Sequence, residues 1–537
     1  MAIADYFQKN AMAASQVLQH FENAGFESAL SRQCVAVMLD SAAADSDEGT
    51  AAADLLVRLL ARFYPKIAIV PLDAGAKTLA GDLAKLAKDI NPGIALVTKL
   101  TVVTHALVVG QTEVRLPRKG ARLFYVGSRG WTALLSQSNP VGCSRSTNPF
   151  GPGVAACFGV ANVFRAVFEK QLPQDAEPSK DIAFSVIDYK AGKAAKSPAL
   201  KSISLGDACL VGAGAIGNGA LWALRRVPIR GSLTLVDPQN LELSNLQRYV
   251  LTMRQDEFHP KVTLAERWFS GIKDLSLIPK QMTWDEFAHQ SQWKFDRVAV
   301  ALDSAKDRIG VQASLPRWIV NAWTLGSAIG ISRHPTLEGD ACLACLYLPD
   351  EVTPSEDILV ATSLGLATTP QHPDLMEVRR RLDLNVPNDR AYLERIASIR
   401  NVAIEELLPF ENKTLRALYT EGVCGGQVMG LVVDGQETRA EVPLAFQSAL
   451  AGILLAAEIV IDASAARAER ALTISRIDLL RQLPDYISSR RAKDASNRCL
   501  CQDSDYKEVY AEKYGAPIRS DTPANRYKML PGDRSTS

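Results

Sequence analysis

Ala208-Cys209-Leu210-Val211-Gly212-Ala213-Gly214-Ala215-Ile216-Gly217 is the stretch whose reading decides the fold. Four small and apolar residues read as a buried strand. The glycines after them have the G-x-G-x-x-G spacing, and a helix is expected over 216–226. Glycines at those places permit a tight turn and leave backbone N–H groups and a helix N-terminus facing a phosphate. Asp237 closes the next apolar run, 232–236, about where a ribose-binding carboxylate is expected. A further run, 297–302, ends at Asp303. Ligands of open α/β sheets sit at the carboxyl ends of strands, so both aspartates are placed to reach one. Taken alone, this pattern would also suit a dinucleotide-dependent dehydrogenase.

Upstream, helices are expected over 4–30. Short β-rich runs at 34–39, 67–71, 104–110 and 122–126 alternate with helical stretches at 51–63 and 77–90. Alternation of this kind predicts a mainly parallel sheet. A helix of small and apolar residues, 153–168, follows the turn 148–152. Residues 172–181 and 190–200 read as linkers around a strand at 182–189. Downstream, 346–423 is charged and rich in helix formers, and an apolar helix is expected over 442–461. Each half opens with an α/β unit and ends with proline and a small-residue helix. A diverged duplication and mere similarity of helix composition explain this equally well. The first half lacks a glycine-rich loop, so a copy there would be catalytically silent.

Composition narrows the classes. Of 537 residues, 47% are hydrophobic and 22% charged, as in soluble globular proteins. A formal net charge of +1 argues against nucleic acid as a partner, because phosphate binding by charge needs an excess of Lys and Arg. Gln447, Ser448 and Glu458 interrupt the most apolar segment, so no membrane span is read there. Asp5, Lys9, Glu22 and Glu27 break up the first 30 residues, which do not read as a signal peptide. Nine cysteines without an export signal fit a reducing cytoplasm.

Beyond Asp237 come Ser244-Asn245-Leu246-Gln247-Arg248, Lys261, and Asp303 with Arg308. A dehydrogenase needs few cations beside its cofactor. An adenylating enzyme must hold a triphosphate, stabilise a leaving pyrophosphate and place magnesium, which is work for Arg, Lys, Asn and Asp. With these motifs the chain resembles the ThiF/MoeB-type adenylation domain shared by ubiquitin-activating enzymes and bacterial sulfur-carrier activators. The resemblance covers 203–335, resumes at Cys342-x-x-Cys345 and returns over 421–501. It implies an α/β fold: a Rossmann-like adenylation domain with a mainly parallel sheet, preceded by a second, inactive α/β domain. It implies that Gly212, Gly214, Gly217 and Asp237 bind ATP. Asn245, Arg248 and Lys261 would contact phosphates, and Asp303 would organise Mg2+. Ser304 stands where the family usually has asparagine. An arginine from elsewhere often completes such sites, and Arg129 and Arg145 are the first-half candidates.

Cys342-x-x-Cys345 and Cys499-x-Cys501 supply two close thiolate pairs, the donor set of a closed structural zinc site. The resembling enzymes carry zinc ligands at these places, with two intervening residues in the second pair where this chain has one. Cys424, in Glu421-Gly422-Val423-Cys424-Gly425-Gly426, falls where the family keeps its thioester cysteine, on a crossover loop. A thiolate is both a soft nucleophile and a good leaving group, as acyl transfer requires. The other cysteines fall in core strands, the silent half or the zinc set.

The resulting expectation is an N-terminal domain over 1–195, an adenylation domain over 196–345 and a helical insertion with crossover loop over 346–441. The remainder of the adenylation domain spans 442–505 and a polar tail 506–537. The expected activity is ATP-dependent activation of the C-terminal carboxylate of a ubiquitin-like protein, followed by thioester formation. A conjugating enzyme is the expected second partner, and the chain itself could pair as a homodimer. The layout resembles activating enzymes of bacterial ubiquitin-like conjugation operons, including antiphage defence operons. The alternatives are a sulfur-carrier or peptide adenylyltransferase of biosynthesis, and a non-catalytic binding subunit.

Overall fold

Apolar runs bounded by turns build two eight-stranded sheets. The computed structural model describes residues 7–192, 198–348, 355–369, 371–424, 431–433, 436–438, 442–469, 471–484 and 487–515. The first sheet contains β1 (Val35–Leu39), β2 (Lys66–Pro71), β3 (Ala95–Leu96), β4 (His105–Val109), β5 (Arg122–Arg129), β6 (Thr132–Ser136), β7 (Asp181–Ser185) and β8 (Lys190–Ala191). Its order is β3-β2-β1-β4-β5-β6-β7-β8. Strands β1 to β5 pair in parallel and β5 to β8 antiparallel. Every residue of β1 and β4 is buried, the pattern of parallel strands covered on both faces.

The second sheet holds β9 (Ile203–Val211), β10 (Ile229–Val236), β11 (Leu275–Lys280), β12 (Arg297–Val300), β13 (Trp318–Leu325) and β14 (Ala328–His334). A separate hairpin of β15 (Leu431–Val433) and β16 (Gln436–Thr438) intervenes before β17 (Ile474–Asp478) and β18 (Ser488–Ser489) complete the sheet. The order is β11-β10-β9-β12-β13-β14-β17-β18, again parallel as far as β13 and antiparallel beyond. Order and direction therefore repeat strand for strand. The long helices Phe150–Val167 and Ala445–Ser464 fall at the same point, between the sixth and seventh strands of each sheet.

Both long helices are apolar all round, which places a helix inside a core or a bilayer. Here 89% and 94% of their apolar windows are buried within the fold. Together with Asp47–Leu60 and Ala215–Leu224 they form the seam between the halves. Contact is close enough to require glycine. Across the seam, a Cβ on Gly153 would lie 2.7 Å from the Trp222 ring and 3.0 Å from Ile453 Cδ1; within the second half, one on Gly452 would lie 2.1 Å from the Ile216 carbonyl. Polar groups also cross the seam. Half-buried Asp54 accepts from Trp222 Nε1 and from Arg226, each at 2.7 Å, and pairs with Arg58. Burial opposes its charge, but Arg58, Arg226 and Trp222 outweigh burial and hold the carboxyl well below the usual range.

Some sequence expectations need adjusting. The helix expected over 51–63 is Asp47–Leu60, because Ser46 caps it by accepting from Gly49 N at 3.1 Å. The strand expected over 182–189 ends at Ser185, where the chain turns through Tyr189 at φ +53°. Strand β6 is an addition, made by a tight hairpin at Gly130-Trp131. Residues 356–417 form short helices, as expected of an insertion. They surround a core of their own, including Leu375, Leu393, Ile396, Phe410 and Val423, distinct from the core shared by the two sheets.

Candidate nucleotide site and cysteine cluster

Strand β9 delivers the chain to Gly212, which turns at φ +97°. A Cβ there would lie 2.6 Å from the Ala301 carbonyl, and one on Gly217 2.1 Å from the Gly212 carbonyl. Only glycine fits either place. Gly214 caps the helix Ala215–Leu224, whose first N–H groups open toward the ends of β9, β10 and β12. Asp237, buried at the end of β10, accepts from Ala213 N at 2.7 Å and from Gln239 N at 2.8 Å. It thus fixes the loop while keeping lone pairs free on both oxygens.

Asn245 lies in the 3-10 turn Leu243–Gln247, where its Oδ1 accepts from Glu242 N at 3.1 Å. Arg248 and Lys261 both approach the ring of Tyr249, at 5.7 and 5.4 Å. The Lys261 ammonium donates to Gln239 Oε1 at 2.6 Å. Burial works against that charge, but Tyr249, Asp237 and Glu242 outweigh it and the pKa rises. Lys261 is therefore a buried, permanently charged donor. Asp303 is exposed at the end of β12, one residue before Ser304, which caps the next helix through Asp307 N. Asp303 helps raise the Asp307 carboxyl, whose largest cause is burial. Arg308 turns inward, donating to the Leu302 carbonyl at 2.5 Å with its guanidinium 4.6 Å from the Tyr347 ring. It props the strand end that presents Asp303.

Three features escaped the sequence reading. Tyr249 is the aromatic floor shared by both cations. Asn218 donates to the carbonyls of Ala213 and Gly214 at 3.0 and 3.2 Å, tying the glycine loop to its helix. Lys9, on the first-half helix Phe7–Ser15, is half-buried beside the turn that carries Asn245. Burial and then Arg248 lower its pKa, with Glu242 opposing. Lys9 and Arg248 are thus close enough for each charge to disfavour the other. Arg129 and Arg145 stand elsewhere, beside Ser128, Gly130, Ser144 and Ser146, which all donate to the buried carboxylate of Glu48.

The corresponding strand end in the first half is filled from within. Asp40 follows β1 as Gly212 follows β9. It accepts from Ala43 N at 3.0 Å, Gln111 N at 2.7 Å, and Thr112 N and Oγ1 at 2.9 and 2.7 Å. A Cβ on Gly110 would lie 2.1 Å from its Oδ1. A side-chain carboxylate takes the backbone donors that a phosphate would need.

Cys342, Cys345, Cys499 and Cys501 come together, with all four sulfurs within 4.8 Å of one another. Four of the six separations run from 3.3 to 3.8 Å. Four thiolates about 2.3 Å from one tetrahedral zinc would be about 3.8 Å apart, so donor set and spacing fit that ion. Cys424 ends a π-helical segment, Leu418–Cys424, rather than lying on the open crossover loop that the resemblance implies. Its side chain and residues 425–430 lie outside the described residues. Burial raises the thiol pKa of Cys34, and pushes Cys143 and Cys209 up to about 12. Cys157 is raised for the same reason. All four are poor nucleophiles.

Residues 181–491 match the ThiF family, and residues 38–169 match Prokaryotic E2 family C. Over 521 residues the chain is 43% identical to Uncharacterized protein y4jF of Sinorhizobium fredii (strain NBRC 101917 / NGR234), covering 96% of this chain and 98% of that protein. Over 143 residues it is 34% identical to Ubiquitin-like modifier-activating enzyme 7 of Homo sapiens, covering 24% of this chain and 14% of that protein. Solved structures of E. coli MccB are also similar. The complex with ATP has a TM-score of 0.34 and 13% identity over 55% of this chain and 67% of its own. The complex with MccA-N7isoASN has a TM-score of 0.32 and 14% identity over 56% and 67%.

Proposed function

The chain belongs to the ThiF family, and we propose that its carboxylate substrate is the C-terminus of a ubiquitin-like protein, passed on as a thioester of Cys424. The family activity is ATP-dependent adenylation of a carboxylate, with Mg2+. A substrate carboxylate oxygen attacks the α-phosphorus, the bond to the β,γ-bridge breaks, and pyrophosphate leaves. Gly212, Gly214, Gly217 and Asp237 hold the nucleotide. Asn245, Arg248 and Lys261 take the charge that accumulates on pyrophosphate, and Asp303 carries the metal. The Cys424 thiolate then attacks the acyl carbon, AMP departs, and the sulfur keeps the acyl group.

The observation that carries this reading is the helical unit between β14 and β17, which has its own core and ends at Cys424. An enzyme that stops at the adenylate needs no such unit. The human relative named for modifier activation supports the same substrate class. Asp40, filling its own strand end, supports a first half that binds no nucleotide. One zinc ion at Cys342, Cys345, Cys499 and Cys501 would pin the end of the insertion-bearing segment to the C-terminal stretch, with no open coordination position. A conjugating enzyme, a cytoplasmic location and a bacterial conjugation operon complete the proposal.

The test mixes the full chain with ATP, magnesium and candidate ubiquitin-like proteins. We expect carrier-dependent ATP–pyrophosphate exchange and a covalent adduct cleaved by thiol reductant. Cys424→Ala should abolish the adduct and spare exchange, because adenylation precedes the thiol step. An adduct that survives in Cys424→Ala refutes the assignment of the nucleophile. Exchange without any adduct refutes the thioester step.

A further inference from the structure

We infer that Arg58 and Arg62, on the first-half helix Asp47–Leu60 and just beyond it, are positioning residues for the nucleotide site of the second half. The inference rests on that site binding ATP and is independent of which carboxylate is activated. Arg62 is fully buried. Its Nη2 donates to the carbonyl of Tyr249 at 2.8 Å and to that of Thr252. Its Nη1 donates to the Arg58 carbonyl at 2.7 Å. Arg58 Nη1 in turn donates to the Val250 carbonyl at 3.0 Å, while its Nε is held by Asp54. Two guanidinium groups thus grip three carbonyls within four residues, from the far side of the seam.

The gripped turn carries the site. Tyr249 is the ring under Arg248 and Lys261, and its hydroxyl lies 3.4 Å from where a Cβ of Gly214 would be. Leu251 N donates to Asn218 Oδ1 at 3.3 Å, and Asn218 holds the carbonyls of Ala213 and Gly214. A continuous set of hydrogen bonds therefore runs from Arg62 through 249–252 and Asn218 to the glycine loop. The planar guanidinium serves this purpose because its donors diverge in a fixed fork, which lysine cannot reproduce. The first half, with its own strand end closed by Asp40, acts on the nucleotide by holding the groups that bind it.

The experiment is calorimetric titration of the full chain with MgATP, alongside thermal unfolding. Arg62→Lys keeps the charge and loses the fork, and we expect about tenfold weaker MgATP binding. Arg467→Lys is the control. Arg467 also makes an arginine-to-carbonyl bond across the seam, to Ile187 at 2.6 Å, but stands apart from 249–252. It should lose thermal stability and keep MgATP affinity. Should Arg62→Lys fail to fold, Arg58→Gln, which gives up the Val250 bond, carries the same expectation. MgATP affinity unchanged in the folded variant overturns the inference, as does equal weakening in Arg467→Lys. A wild-type chain that binds no MgATP overturns the ATP site as well.

Discussion

Asp237 Oδ2 accepts from Ala213 N at 2.7 Å, so the carboxylate at the end of one strand holds the glycine loop at the end of its neighbour. The bond explains why Asp237 and the loop work only as a pair. Asp237→Ala would leave a buried N–H without its partner, costing about 1–3 kcal/mol. We expect lower thermal stability and loss of MgATP binding together. Asp237→Asn keeps an acceptor for Ala213 but loses the one for Gln239 N, so it should cost less stability than Asp237→Ala while weakening nucleotide binding. Equal stability in Asp237→Ala and wild type would show that the bond contributes nothing to the loop.

Lys261 and Asp303 should separate stability from chemistry in a different way. Asp303 is exposed, and its proposed work is metal binding, so Asp303→Ala should unfold at the wild-type temperature and lose pyrophosphate exchange. Lys261 is buried against Tyr249 and Gln239. Lys261→Ala should weaken exchange strongly, by about a hundredfold, the usual scale for one preorganised donor. It should also lose some stability. Exchange that persists unaltered in either variant removes that residue from the site.

How much of this was legible in the sequence follows from how local each signal is. The glycine loop, Asp237 and the run to Arg248 sit within 37 residues, counting from Gly212 to Arg248, and their chemistry follows from spacing. The cysteine cluster was readable across a far longer separation because thiol pairs are rare and specific. The repeat was visible only as two α/β units, each closed by proline and a helix of small residues. Its real content, the same strand order and direction, is tertiary and leaves no motif. Asp40, Arg58 and Arg62 carried no signal in the sequence. The meaning of the two arginines lies in carbonyls of 249–252, nearly 200 residues away, which carry no side-chain signature at all. For Cys424 the sequence offered chain position within the resembling family, and the π-helical turn that carries it left no signal there.

The cysteine cluster yields a prediction about folding. Binding of zinc by four thiolates contributes directly to folding free energy. Purified protein should contain one zinc per chain by elemental analysis. Cys499→Ser should lower both zinc content and unfolding temperature. Chelation should do the same to wild type. Cys342 and Cys345 follow β14 and Cys499 and Cys501 follow β18, so loss of the ion unties the two segments that leave those strands. A metal-free protein whose stability Cys499→Ser leaves unchanged would show ordinary thiols.

The last prediction concerns acid. Glu458, buried within the helix Ala445–Ser464, pairs with Arg333 at 2.9 Å and Arg467 at 2.8 Å. Both guanidinium groups also approach the Tyr189 ring, at 4.4 and 5.9 Å, so the cluster joins the two halves. Burial opposes the Glu458 charge, but the two arginines outweigh it and bring its pKa down to about 2. An unfolded glutamate titrates near about 4.3, so the unfolded chain binds the proton first. The stabilisation is therefore complete above the unfolded value and is lost as pH falls through the folded one. Near neutral pH, Glu458→Gln should cost about 3–5 kcal/mol, because it strands two buried cations. Urea unfolding of both proteins from about pH 6 down to about pH 3 checks the sign. The gap between wild type and Glu458→Gln should narrow below about pH 4.3, where the unfolded wild-type chain binds a proton that the folded chain does not. A gap that stays constant would place the cost of the substitution in packing and leave the ion cluster without a part in acid stability.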